Sequence, residues 1–203
     1  MYFNFLSQFL FALRKTCFDE LKDWLDIAGM NIINSDKSDI SKIFEMYRVA
    51  TEYMKSKNQV AWPEFEKDMI VKEIEESRQW KLLINGEIAC IWATTLDDEL
   101  IWGEENNTPS LYIHRITTSP EFRGRNLVKH VVNWADEFCV NKDLKYIRMD
   151  TAGLNKGLIG HYGKLGFDLL GSRILENTDG LPDHYRDVPI CLFQRVPQIK
   201  IRK

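Results

Sequence analysis

The hydrophobic period of this chain changes at Trp80. Before that point apolar residues recur at three- and four-residue spacing; after it they alternate or form short continuous runs. The change is pinned by Asn85-Gly86, a pair suited to the type I′ turn of a two-residue connection, so 80–84 and 87–94 are predicted to form a hairpin. Strand and helix patterns then alternate: a strand over 111–118, a helix over 126–140, a strand over 146–149, a short helix over 156–165, and strands over 167–170 and 188–194. This succession demands an α/β domain with a mixed sheet and helices on its faces.

Upstream, residues 3–28 read as one amphipathic helix with a broad aromatic and aliphatic stripe (Leu6, Leu10, Leu13, Leu21, Trp24, widened by Phe3, Phe9 and Phe18) and Gly29 as its stop. The expected division is therefore a helical extension over 1–29 and one domain over 30–203. That stripe needs a cover: the rest of the chain, a second copy in a homodimer, or a membrane surface. A short strand over 31–34 precedes a helix that Asp36 and Asp39 cap, with Ile40, Ile43, Phe44, Tyr47, Ala50 and Met54 inward. Pro63 is expected to open a third helix carrying Phe65, Met69, Ile70 and Ile74, with Glu73, Glu75 and Glu76 on its solvated face. Residues 96–107 read as a loop with an acidic cluster.

Composition narrows the function classes. Lys plus Arg number 27 against 30 Asp plus Glu, a net charge of −3, which argues against a protein held to nucleic acid by phosphate contacts. The longest apolar run, Ile88 to Ala93, is far short of a membrane span, and the N-terminus lacks the pattern of a signal peptide. Four scattered cysteines form neither a CxxC pair nor a disulfide scaffold, and a reducing, cytoplasmic setting is expected. None of the four histidines pairs with another, or with a cysteine, at metal-ligand spacing, so no metal is expected.

Two stretches carry chemistry. In Thr117-Thr118-Ser119-Pro120-Glu121-Phe122-Arg123-Gly124-Arg125-Asn126-Leu127-Val128 a strand ends and a helix opens. The amides of that first turn, flanked by Arg123 and Arg125, make an anion-binding mouth, though without a Walker or Rossmann signature. The second stretch, Gly157 to Phe167 (GLIGHYGKLGF), holds four glycines around Tyr162, where backbone close approach or a sharp turn is expected. His114, in the middle of a strand, is a candidate base because imidazole titrates near neutrality; strict alternation would put it on one face with Tyr112 and Ile116, opposite Ile113 and Arg115.

Together the two stretches, joined by a helix and a strand, resemble the GCN5-related N-acetyltransferase superfamily over about Met30 to Arg195. Leu111 to Val128 resembles the fourth strand and the Arg/Gln-x-x-Gly-x-Gly/Ala pyrophosphate loop; Asn155 to Phe167 resembles the Asn…Tyr-x-x-Leu-Gly-Phe segment. The resemblance implies an acyl-coenzyme A N-acyltransferase fold, its mostly antiparallel sheet opened between the fourth and fifth strands. It implies acetyl-coenzyme A as co-substrate, an amine acceptor, expected here to be a small molecule, and direct transfer without a covalent enzyme intermediate. Backbone groups of Ile116, Thr117 and Thr118 would meet the pantetheine, and Arg123, Gly124, Arg125, Asn126, Leu127 and Val128 the pyrophosphate. Asn126 and Val128 stand where the family has glycine and glycine or alanine.

Asn155 matches a cofactor-binding asparagine, although its own setting reads as a helix cap. Tyr162 matches the tyrosine that protonates the departing thiolate, a task suited to a phenol with pKa about 10. The acidic cluster, Trp62, Trp102 and Asp183 are candidates for the acceptor pocket. The departures at 126 and 128 leave a catalytically silent acyl-coenzyme A sensor as one alternative, and the N-terminal aromatic face leaves an interaction scaffold as another.

Overall fold

The computed structural model describes residues 29–198. The expected helix over 3–28, and with it the extension and the dimer contact, lies outside the described residues, as does the tail from 199. Seven strands form one sheet: β1 (Met30–Asn34), β2 (Gln79–Ile84), β3 (Glu87–Thr95), β4 (Ser110–Thr118), β5 (Tyr146–Ala152), β6 (Asp168–Arg173) and β7 (Ile190–Arg195). Their order is β1-β2-β3-β4-β5-β7-β6. Every neighbouring pair is antiparallel except β4 and β5. The mixed α/β sheet is the one the sequence demands.

Helices α1 (Ile40–Ser56) and α2 (Lys67–Glu75) cover one face, together with the short α3 (Glu99–Trp102). Helices α4 (Leu127–Asn141) and α5 (Lys156–Lys164) cover the other. The capping box forms as expected: the Asp36 carboxylate accepts from the Ser38 amide at 2.8 Å, and the Asp36 amide donates to Asp39 at 2.8 Å. Under α4, Trp134 lies between Trp80 and Trp92, with ring centroids 4.5 Å and 5.2 Å away. Trp92 is fully buried, and its ring places it among the side chains that contribute most to a core.

Three expectations are corrected. The third helix begins at Lys67, not Pro63. The intervening segment has no regular secondary structure, and Trp62 and Phe65 fold onto the Tyr47 ring at centroid distances of 5.9 Å and 5.1 Å. Residues 96–107 are not a plain loop: α3 and a 3-10 turn over Gly103–Asn107 lie within them, driven by burial of Ile101 and Trp102. Glu73 is not on a solvated face. It is buried, where both its oxygens accept from Arg115 at 2.6 Å and Arg78 lies 3.8 Å away. Two arginines offset the cost of desolvating that carboxylate.

The feature that positions the site is a splay. The parallel strands β4 and β5 pair only over Ser110–Tyr112 and Tyr146–Arg148. From Ile113 onward β4 has no partner strand on that side among the described residues, while β3 stays paired on the other as far as Thr118.

Candidate active site

A β-bulge re-aims the side chains at the splay. Arg115 has φ +55°, and the register of β3 against β4 slips between Ile91 and Ala93, so two β4 residues oppose Trp92. This corrects the alternation expected from the sequence. Ile113 and Ile116 both join the core under α4 and α5, whereas Arg115 reaches Glu73 and Tyr47 on the opposite face. His114, next to it in sequence, meets Asp98 and Asp150. The splay and the bulge border a cavity of about 820 Å³. Among the expected site residues, His114, Ile116, Asn155 and Tyr162 line it.

At the centre of the cavity His114 Nε2 lies 3.6 Å from Asp98 Oδ2, and Nδ1 lies 3.7 Å from Asp150 Oδ1. Tyr185 donates a 2.8 Å hydrogen bond to Asp150 Oδ2. Asp98 Oδ2 is buried and makes no hydrogen bond among the described residues. Burial, with the nearby charges of Asp150 and Asp97, pushes the Asp98 carboxyl up to about 8. Burial raises Asp150 to about 6. Burial, reinforced by Arg115 and Arg78, pushes His114 down to about 3. At neutral pH the imidazole is therefore neutral and can accept a hydrogen bond. The fold thus converges one ligand-type atom from each of Asp98, His114 and Asp150 within 4.8 Å of one another, a grouping that residue spacing along the chain does not display.

Tyr162 comes from α5. Its ring packs edge-on against Phe193 and Phe167, at 5.1 Å and 6.0 Å between centroids. Burial, with Asp150 and Cys90 nearby, pushes its phenol up to about 12, so it stays protonated in ordinary buffers. Asn155 caps the same helix: its side-chain oxygen accepts from the Gly157 and Leu158 amides at 3.0 Å and 3.1 Å. That oxygen is committed to the fold. Asn155→Ala is expected to cost about 1 kcal/mol in chemical denaturation, and an Asp at this position, which keeps the acceptor, should recover most of it.

The loop before α4 turns twice through the left-handed region, at Gly124 (φ +81°) and Asn126 (φ +53°). Asparagine thus holds the turn that glycine holds in the family pattern. Thr118, Arg123, Gly124, Asn126, Leu127 and Val128 line a smaller cavity of about 330 Å³ at the start of α4. Positive-φ residues and a helix start together aim backbone N–H groups outward, the arrangement that receives anionic oxygens. Val128 also packs against the core under α4. Two expected residues line neither cavity. Thr117 turns its buried hydroxyl back to the Arg115 carbonyl at 3.1 Å, and the Arg125 guanidinium lies over the Phe122 ring at 5.1 Å.

The remaining candidates divide. Trp62 lines the larger cavity, and of the acidic cluster Asp98 does. Trp102 is instead buried against Tyr112, with centroids 5.6 Å apart, and Asp183 pairs with Arg186 at 3.3 Å. His184 lines the cavity beside Tyr185. Sequence reading missed Asp150 and Tyr185. Neither carries a local signal: Asp150 lies between Arg148-Met149 and Thr151, in a strand of mixed polarity. The buried thiols of Cys90 and Cys139 are pushed up to about 12 by burial, which suits packing and not nucleophilic attack.

A mixed sheet splayed between two parallel strands, with a helix-start loop at its mouth, defines the acyl-coenzyme A N-acyltransferase fold. The profile of the acetyltransferase (GNAT) family matches residues 42–167, and the chain belongs to that family. An uncharacterised N-acetyltransferase of Bacillus subtilis (strain 168), YesJ, is 28% identical over 75 residues, 37% of this chain; the match spans 42% of that relative's length. A GNAT-family acetyltransferase from Listeria monocytogenes superimposes with a TM-score of 0.67 at 19% identity, over 82% of this chain and 94% of its own. The putative acetyltransferase yncA of Salmonella typhimurium, solved with acetyl-coenzyme A, gives 0.60 at 13%, over 86% and 97%. No helix among the described residues is long and apolar enough to cross a membrane.

Proposed function

We propose that the protein is an N-acetyltransferase that moves an acetyl group directly from acetyl-coenzyme A to a primary amine of a small molecule. The observation that carries this reading is the cavity at the β4–β5 splay, where an unpaired strand edge, a buried phenol and two carboxyl groups with no Lys or Arg partner among the described residues meet. Membership of the GNAT family and the fold shared with an acetyl-coenzyme A complex support the donor.

In this reading the free edge of β4 around Ile116 and Thr118 receives the pantetheine, and the Arg123–Val128 turn receives the pyrophosphate. The amine enters as an ammonium at Asp98, His114 and Asp150 and gives one proton to this group. Its nitrogen then attacks the thioester carbonyl. The carbon–sulfur bond breaks as the carbon–nitrogen bond forms, the second proton leaves the nitrogen, and the sulfur takes up a proton with Tyr162 as donor. Net, an ammonium and a thioester become an amide, a thiol and one released proton. His114 accepts a hydrogen bond from the acceptor, and Asp98 is the group whose affinity for a proton best matches neutral pH.

Calorimetric titration with coenzyme A tests the donor site. Gly124→Val forces a branched residue into φ +81° and adds bulk at the mouth of the loop; it should weaken binding at least about tenfold, or ~1.4 kcal/mol. Binding without thioester consumption across an amine panel would instead make the protein an acyl-coenzyme A-binding module. No binding at millimolar coenzyme A would end the reading.

A further inference from the structure

The walls of the acceptor cavity differ sharply in character. Three carboxylates line it: Glu73, Asp98 and Asp150. Glu73 is bound to Arg115 and lies beside Arg78, so its charge is already matched. The anionic character open to a ligand is therefore concentrated at Asp98 and Asp150, on one side of His114 and the other. Elsewhere the lining is mainly apolar, with Met54, Val60, Trp62, Phe65 and Met69 interrupted by the uncharged Asn58 and Gln59. Of the cations in the lining, Arg115 is paired with Glu73 and Arg78 with Glu76, so these ion pairs leave no carboxylate free for a second ammonium placed away from the aspartates.

The polar end is sized for one small cation. One ligand-type atom from each of Asp98, His114 and Asp150 falls within 4.8 Å of the others, with His114 3.6 Å and 3.7 Å from the two carboxyl groups, so one ammonium placed there reaches all three. Asp98 Oδ2, buried and without a hydrogen bond among the described residues, is aimed into this space. With Asp98 raised to about 8 and Asp150 to about 6, the two together carry about one negative charge at neutral pH, and a single –NH₃⁺ matches it and supplies the missing donor.

Resting on the acetyl-transfer reading above, we infer that the acceptor is a primary monoamine on an apolar, aromatic-sized body. Its ammonium is held by Asp98, His114 and Asp150, and its body lies against Trp62, Phe65 and Met69. A polyamine is disfavoured, because its second ammonium would be desolvated against an apolar wall or set beside Arg115 with no free carboxylate to receive it. The cavity selects by what its apolar lining lacks as much as by what its polar end holds.

The test is steady-state thioester consumption by the full chain with 2-phenylethylamine and hexylamine against spermidine and 1,4-diaminobutane. The monoamines should show kcat/KM roughly 100-fold above the di- and polyamines, as expected for an unmatched buried charge. Trp62→Ala should raise KM for 2-phenylethylamine about tenfold more than it raises KM for ethylamine, which has no body to lose contact. Calorimetry with coenzyme A alone separates the two levels of the argument. If coenzyme A binds but spermidine is preferred, or no monoamine is consumed, the acceptor inference is overturned and the donor site stands. If coenzyme A does not bind, both fall. A stoichiometric metal ion on the purified protein that must be chelated before an amine binds would also overturn the ammonium assignment.

Discussion

Tyr162→Phe should lower kcat about 100-fold while leaving coenzyme A affinity and the unfolding midpoint almost unchanged. The ring does the packing: it meets Phe167 and Phe193 and is 9% exposed, and phenylalanine keeps all of that. Only the hydroxyl is lost. Its role in the proposed reaction is to donate to a sulfur that carries negative charge only as the thioester breaks, so its removal leaves the ground state untouched and raises the barrier. With the phenol pushed up to about 12, the donor form persists across the assay range. A tyrosine that merely lined the cavity would give a different pattern, a raised KM with kcat preserved. Single-turnover measurement is the deciding readout, because slow product release would mask a chemical defect in steady state. A second acyl donor whose leaving group is a much weaker base than a thiolate should lose less rate in the variant. An unchanged single-turnover rate on acetyl-coenzyme A would remove the hydroxyl from the mechanism.

The parts of this molecule that were legible in its sequence are those that local rules determine. The Asn85-Gly86 turn, the Asp36–Asp39 capping box and the inward stripe of α4 are each set by residues within a few positions of one another. The turn before α4, where the pyrophosphate is proposed to bind, was legible as a turn for the same reason: Gly124 and Asn126 reach the left-handed region within a few residues of one another. The proposed acceptor end was not. Its polar group draws Asp98 from the approach to α3, His114 from β4 and Asp150 from β5, residues that nothing in their spacing connects. Glu73 read as surface because helical periodicity says nothing of an arginine 42 positions away that will bury it. The bulge at Arg115 was equally hidden. A one-residue slip between β3 and β4 is a property of the pair of strands, and it moves every side chain after it to the other face.

Asp98→Asn should do two opposite things: stabilise the ligand-free protein at alkaline pH and cripple acetyl transfer. In the folded protein the Asp98 carboxyl is raised from 3.8 to about 8 by burial and by the charges of Asp150 and Asp97. In the unfolded chain it ionises near its ordinary value. A group whose folded pKa is raised contributes stability that is complete below the unfolded pKa and is lost as pH climbs through the folded one. The native protein should therefore lose stability progressively between about pH 4 and pH 8, the interval in which the unfolded chain has given up this proton and the folded chain still holds it. Each pKa unit is worth about 1.4 kcal/mol, so the loss attributable to this one carboxyl amounts to several kcal/mol. Asparagine cannot ionise. Denaturant titrations should thus show the variant gaining on the native protein as pH rises, with the two nearly equal at pH 4 and the gap widest above pH 8. Activity should move the other way. The amide keeps an oxygen that can accept a hydrogen bond but takes neither a proton nor a full negative charge, so KM for the amine should rise and kcat fall together, on the order of 100-fold each in the direction of loss. The destabilising carboxyl would then be kept for what it binds. Equal pH–stability curves for the two proteins would mean that Asp98 is solvated in solution, and the acceptor site would lose its most strongly poised group.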